Sequence, residues 1–222
     1  MIKKKSLLIL FFISFIIYGN AQTVVVKDLE AWTGARIKKE LGNNWEISLE
    51  EEFRFGHNIS ELYESYTEAG ISYSFNKQWE VGGNYRLVRN RTNSGDFETR
   101  QRINADIAYK RKMNRFRLSW RGRIQYLFEP DEVHSVNNFR NKLQLKYNIK
   151  NCKFTPYAAC ELYYRFIKSE GSGFNKLRFT FGTDRSLSKN SEINFFYRIE
   201  RDLNIDNPKT AYILGLKYDF GF

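Results

Sequence analysis

From Trp45 to the C-terminus, apolar and polar side chains alternate in blocks separated by turn residues. Alternation with period two marks a strand with one apolar and one polar face. In the block 116–128, Phe116, Leu118, Trp120, Gly122, Ile124, Tyr126 and Phe128 fall on one side, and Arg117, Ser119, Arg121, Arg123 and Gln125 on the other. The same split recurs in 79–87, in 139–149, in 193–200 and at the end, where Tyr212, Leu214, Leu216, Tyr218, Phe220 and Phe222 oppose Lys217 and Asp219. Eleven such blocks are predicted as strands: 29–39, 45–55, 62–75, 79–89, 98–110, 116–128, 138–149, 153–166, 174–185, 192–202 and 210–222. Most exceed the usual soluble strand of about 5–6 residues. They match the roughly 9–11 residues that a tilted strand needs to cross a bilayer.

The connections sort by length. Asn76–Gln78, Arg111–Arg115, Lys150–Cys152 and Leu187–Ser191 are short, whereas Asn90–Phe97, Glu129–Asn137, Lys168–Gly173 and Leu203–Lys209 are longer. Short turns at one end and long loops at the other belong to outer-membrane barrels. The polar face is also too charged for a core, since Arg102, Asp106, Arg121, Lys142 and Arg178 would all lie inside a sandwich. In a barrel the order inverts: lipid meets the apolar face and the lumen takes the charges. The predicted fold is therefore all-β, a transmembrane antiparallel up-and-down β-barrel. The count is the open point. The last strand ends on the short-turn side, and 29–39 runs the same way, so antiparallel closure needs an even number. Twelve strands, with an irregular first one from Thr23–Asp28, is the preferred expectation, and ten with an N-terminal segment folded in or under the barrel the alternative.

Residues 1–21 carry a different pattern. Lys3, Lys4 and Lys5 precede an apolar run from Leu7 to Ile17, and Gly19-Asn20-Ala21 supplies small residues for cleavage before Gln22. This reads as a signal peptide, leaving 22–222 as the barrel. Composition agrees with export of a β protein. Mean hydropathy is −0.57, against a helical membrane bundle, and aromatics at 17% argue against disorder. Of 36 Lys and Arg, three fall in the leader, so 33 face 25 acids in the mature chain. With an export signal, lipopolysaccharide phosphates or a lumen network account for this excess better than nucleic acid does.

Several segments resemble a known family. These are Trp32-Thr33-Gly34, the run Trp45–Phe55, Tyr66–Tyr73, Gly83-Asn84-Tyr85-Arg86 and Phe97–Arg102. Together they are similar to the Bacteroidetes exported family called domain of unknown function 2490, over essentially the whole mature chain. The resemblance implies an outer-membrane β-barrel and brings no catalytic residue. The ending Tyr218-Asp219-Phe220-Gly221-Phe222 is similar to the terminal signal of such barrels, which implies Tyr218, Phe220 and Phe222 as the feature read by the barrel assembly machinery.

The polar face carries the candidate chemistry. Acids concentrate early, at Glu50, Glu52, Glu64, Glu68 and Glu80. Bases concentrate in the middle, at Arg100, Arg102, Arg117, Arg121, Arg123, Arg140, Lys142 and Lys146. One reading is a salt-bridge network that fills the interior, because buried charges must be paired and Arg suits carboxylates. The others are a small pore whose transverse field orients solutes or favours anions, and an inward ligand pocket. Glu51 interrupts the apolar face between Leu49 and Phe53, through either a bulge or a place near an interface. His57 and His134 both fall in predicted long loops, and His134-Ser135 is a weak catalytic pair, since adjacency alone does not orient an imidazole on a hydroxyl. Cys152 and Cys160 are too far apart along one strand to bridge. No cofactor or metal is expected. The functional expectation is a structural or small-solute pore barrel in the outer membrane, in contact with its lipid. The alternatives are a lipid-modifying hydrolase, tested at His134 and Ser135, and a secreted β-sandwich binding protein.

Overall fold

The computed structural model describes residues 26–128, 136–166 and 172–222. The leader and the His134-Ser135 pair lie outside the described residues. The described chain forms eleven strands: β1 (Val26–Gly42), β2 (Trp45–Gly56), β3 (Glu61–Ser74), β4 (Trp79–Arg91), β5 (Phe97–Met113), β6 (Phe116–Phe128), β7 (Val136–Tyr147), β8 (Phe154–Phe166), β9 (Gly173–Ser186), β10 (Ser191–Asp202) and β11 (Lys209–Gly221). Each pairs antiparallel with its sequence neighbours, and β1 pairs with β11 to close a barrel. The blocks predicted from alternation and the strands coincide within a few residues.

The closure corrects the strand count. Among the described residues there are eleven strands, neither twelve nor ten. β1 and β11 do run in the same direction, as the parity argument required. They are joined directly as a parallel pair, from Val26↔Lys209 to Lys38↔Gly221. Parallel pairing uses every backbone donor and acceptor along both edges, so an odd barrel leaves no edge open. Val26, Lys27 and Asp28 extend β1 rather than forming a strand of their own. This seam is testable. Thr33 and Leu216 are registered opposite one another on the outer face. Neighbouring strands lie about 4.8 Å apart, within disulfide reach. In a chain with Cys152 and Cys160 changed to Ser, Thr33→Cys with Leu216→Cys is expected to cross-link on mild oxidation, read as a mobility shift on a non-reducing gel. A strand inserted between them would separate the pair by about 10 Å and prevent it.

The β1–β2 turn is a two-residue link in which Asn43 and Asn44 have φ of 48° and 67°. Two left-handed residues make the hairpin turn whose twist matches the flanking strands, and Asn tolerates that region. His57 lies not in a long loop but in the four-residue β2–β3 connection, where Asp28 accepts from the backbone N–H of His57 and of Asn58. The predicted sorting of connections holds more weakly here, since β2 and β3 are joined on the long-loop side.

The barrel is inverted relative to a soluble protein. Ile124 is 60% exposed and Leu143 51%, whereas Glu52 is 1% and Glu161 6%. Aromatic pairs ring both ends of the outer face. Trp45–Tyr73, Trp79–Tyr109 and Phe116–Tyr147 stand at the short-turn end, each with centroids 4.9 Å apart. Tyr126–Phe128 and Tyr164–Phe174 stand at the other. Glu51 keeps the alternation without a bulge, since the β2 irregularities fall elsewhere, and so it faces outward mid-strand. The Thr67 hydroxyl of β3 donates to it.

The interior holds one small apolar cluster, Trp32, Phe196, Ala211 and Ile213, with Tyr157 against it. Space for it comes from the seam side. A Cβ on Gly215 would sit 1.9 Å from the Phe196 ring, its registered partner on β10. Gly215→Ala is therefore expected to destabilise the barrel by about 1–3 kcal/mol through overpacking, read as a lower urea midpoint. Adding Phe196→Leu should recover most of the loss. An unchanged midpoint for Gly215→Ala alone would contradict this packing.

Candidate functional site

The inward residues of all eleven strands form a charged lumen enclosing about 640 Å³. Among the described residues, fourteen Lys and Arg line it against twelve Asp and Glu. Most of these charges are matched by pairs that adjacent strands bring level with each other. Arg86 Nε donates to Glu68 at 2.7 Å across the β3–β4 register. Arg123 Nε donates to Asp106 at 2.6 Å across β5–β6. Arg178 pairs with Glu200 across β9–β10, and Lys146 of β7 reaches past β8 to Asp184 of β9.

The predicted acids all point into this space, and each takes its cation from outside the predicted basic set. Glu50 accepts from Lys217 at 2.8 Å and from the Tyr66 hydroxyl at 2.7 Å. Glu52 is held by Arg54 at 2.7 Å and by Lys217. Glu64 pairs with Arg54, and Glu80 with Lys110 at 2.8 Å towards the short-turn end. The two walls are thus not bare opposed charges, because each carries interleaved counter-ions. Of the predicted bases, Arg121 and Arg140 meet at Glu161, at 2.8 and 2.9 Å. Arg100 stands near the long-loop rim beside Glu98. Arg117 is exposed at the start of β6. Arg102 and Lys142 line the lumen with no carboxylate partner among the described residues.

Several central residues were absent from the predicted set. Glu161 is the acid on which Arg121, Arg140 and Arg178 converge, the last at 3.5 Å. Trp32 is a hub: its Nε1 donates to Glu30 at 2.9 Å, and Arg54 and Arg198 lie over its ring at 3.8 and 4.9 Å. Tyr66 and Tyr163 carry guanidiniums in the same way, Arg86 at 3.5 Å and Arg140 at 4.5 Å. Such stacking fixes long side chains that would otherwise sweep the lumen. The alternation itself marks these residues as inward. Their importance is set by what lies across the barrel.

The C-terminal aromatics sit on the outer face of β11, with Tyr218 opposite Ala35 and Phe220 opposite Ile37. The Phe222 backbone N–H donates to the Lys38 carbonyl at 3.0 Å, and the Lys39 ammonium lies 5.0 Å from its ring. The terminus is thereby fastened to the seam. Cys152, in the turn before β8, and Cys160, on it, are both free thiols.

A closed barrel of antiparallel neighbours, here with one parallel seam, a charged interior, an apolar outside and aromatic belts, is the fold of outer-membrane barrels. One solved structure with a comparable fold is a porin. The NanC porin matches with a TM-score of 0.51 at 13% identity, over 82% of this chain and 90% of that one. A bacterial polysaccharide outer membrane secretin gives 0.44 at 12%, over 80% and 73%. The β domain of the Bordetella autotransporter BrkA gives 0.44 at 10%, over 76% and 79%. No curated protein matches the sequence. The chain belongs to the family described as "Protein of unknown function (DUF2490)", whose model matches residues 29–210.

Proposed function

We propose that this chain is an outer-membrane barrel, exported by the leader at 1–21, that passes small solutes and favours anions. The observation that carries the reading is the imbalance inside the barrel. Cations outnumber acids in the lumen, and Arg102, Lys142 and Arg198 have no carboxylate partner among the described residues. Among the other described charges of the same lumen most are paired, Arg165 and Glu46 excepted. A pore wall with surplus fixed cations concentrates anions and repels cations. The apolar outer face and its aromatic belts support a place in lipid. In this reading Tyr218, Phe220 and Phe222 are the feature read by the barrel assembly machinery, and the outer rim meets outer-membrane lipid and lipopolysaccharide. The Bacteroidetes source implied by the resemblance belongs to the same proposal. The closed barrel replaces the sandwich alternative, and no observation favours the lipid-modifying one.

Swelling of proteoliposomes containing the refolded chain tests the proposal. Small anionic solutes should enter faster than neutral ones of equal size, and cationic ones slowest. Swelling no faster than in protein-free liposomes would refute a pore.

A further inference from the structure

Charge matching fails at one place in the lumen more than at any other. Glu161, at the centre of β8, accepts on Oε1 from Arg121 and Arg140 and meets Arg178 with Oε2. Lys142 stands opposite both Arg121 and Glu161 in the register. Even so, it makes no hydrogen bond or ion pair among the described residues. Arg198 donates to the Thr180 hydroxyl at 3.1 Å and lies over Trp32, without a carboxylate. The Nε of Arg121 is buried and has no partner. Arg121, Arg140, Lys142, Arg178 and Arg198 therefore share only Glu161 and Glu200, and Glu200 is also held by Lys176. Like charges gathered away from bulk water call for a counter-charge.

We infer that this cluster is a binding site for a small solute carrying an oxyanion, a carboxylate or a phosphate. The inference rests on the proposal that the lumen admits solutes, and it names their chemistry. Guanidiniums present paired N–H groups suited to oxyanions, and an ammonium beside them adds a point charge. Tyr163 holds Arg140 and Arg178 at 4.5 and 4.8 Å, and Trp32 holds Arg198, so the donors are fixed before the solute arrives. Pre-organised donors lose little freedom on binding. A lumen of about 640 Å³ is of the size that takes small molecules.

Equilibrium dialysis of the full chain refolded in detergent tests the site without requiring conduction. The probes are inorganic phosphate and succinate, with erythritol as the neutral control. Saturable binding of at least one oxyanion, and none of erythritol, is expected. Lys142→Gln and Arg198→Gln should each weaken it about tenfold, the value of one charge-assisted hydrogen bond. Lys110→Gln, at the Glu80 pair, should leave it unchanged. Heat-modifiable gel mobility identifies the refolded variants. Binding of one oxyanion and not the other keeps the site and names its class. No binding by either probe, or binding indifferent to Lys142→Gln in refolded protein, overturns the site. A barrel that binds but passes no solute would keep the site and remove the pore, and a conducting barrel that binds neither probe would do the reverse.

Discussion

Replacing Glu161 with Ala is expected to cost the barrel about 3–5 kcal/mol, because it strands charges that this carboxylate alone satisfies. Arg178 would keep Glu200, and Arg140 its contact with Gln125 at 3.2 Å. Among the described residues, Arg121 would lose its one acceptor and Arg140 its only carboxylate. Glu161 is 6% exposed, so water replaces it poorly. Glu80→Ala is the comparison. Its pair with Lys110 joins side chains that are 33% and 48% exposed, and pairs of that kind contribute about 0–1 kcal/mol. Urea titration of both variants, refolded side by side, should show a large midpoint shift for the first and almost none for the second. Equal shifts would mean that the lumen pairs are hydrated throughout.

The second large effect concerns selectivity. Lys142→Glu together with Arg198→Glu turns fourteen lumen cations against twelve acids into twelve against fourteen. The sign of the fixed lumen charge inverts. The preference of the pore should follow, from anions in the parent chain to cations in the double variant. Because neither parent side chain has a carboxylate partner among the described residues, the change breaks no ion pair there. A double variant that refolds and still prefers anions would place the selectivity filter elsewhere.

The strands were legible because the period-two pattern is a local property, and lipid outside with charge inside makes it unusually clean. The seam was not. Hydrogen bonds between Val26–Lys38 and Lys209–Gly221 join residues about the whole chain apart, and alternation is identical for parallel and antiparallel edges. The rule of even numbers filled that gap wrongly. The lumen shows the same divide. Glu68 and Arg86 stand on adjacent strands, so their pairing follows from a hairpin register. Lys217 reaches Glu50 only because the barrel closes. Glu161 sits singly in an aromatic block, without an acidic run to mark it, and its weight comes from β6, β7 and β9 together. Trp32 is legible in the sequence as part of a family motif. Its chemical role, holding Arg54 of β2 and Arg198 of β10, depends on two other strands being in place. Glu51 looked like a break in the pattern, yet the backbone keeps register and Thr67 supplies the partner.

The most direct test is the reversal potential of the refolded parent chain in a planar bilayer under a salt gradient, measured in both gradient directions. The charge arrangement predicts discrete conductance steps and a reversal potential displaced towards the equilibrium potential of the anion. Steps displaced towards the cation, or a folded barrel without steps, would contradict a lumen governed by its surplus cations.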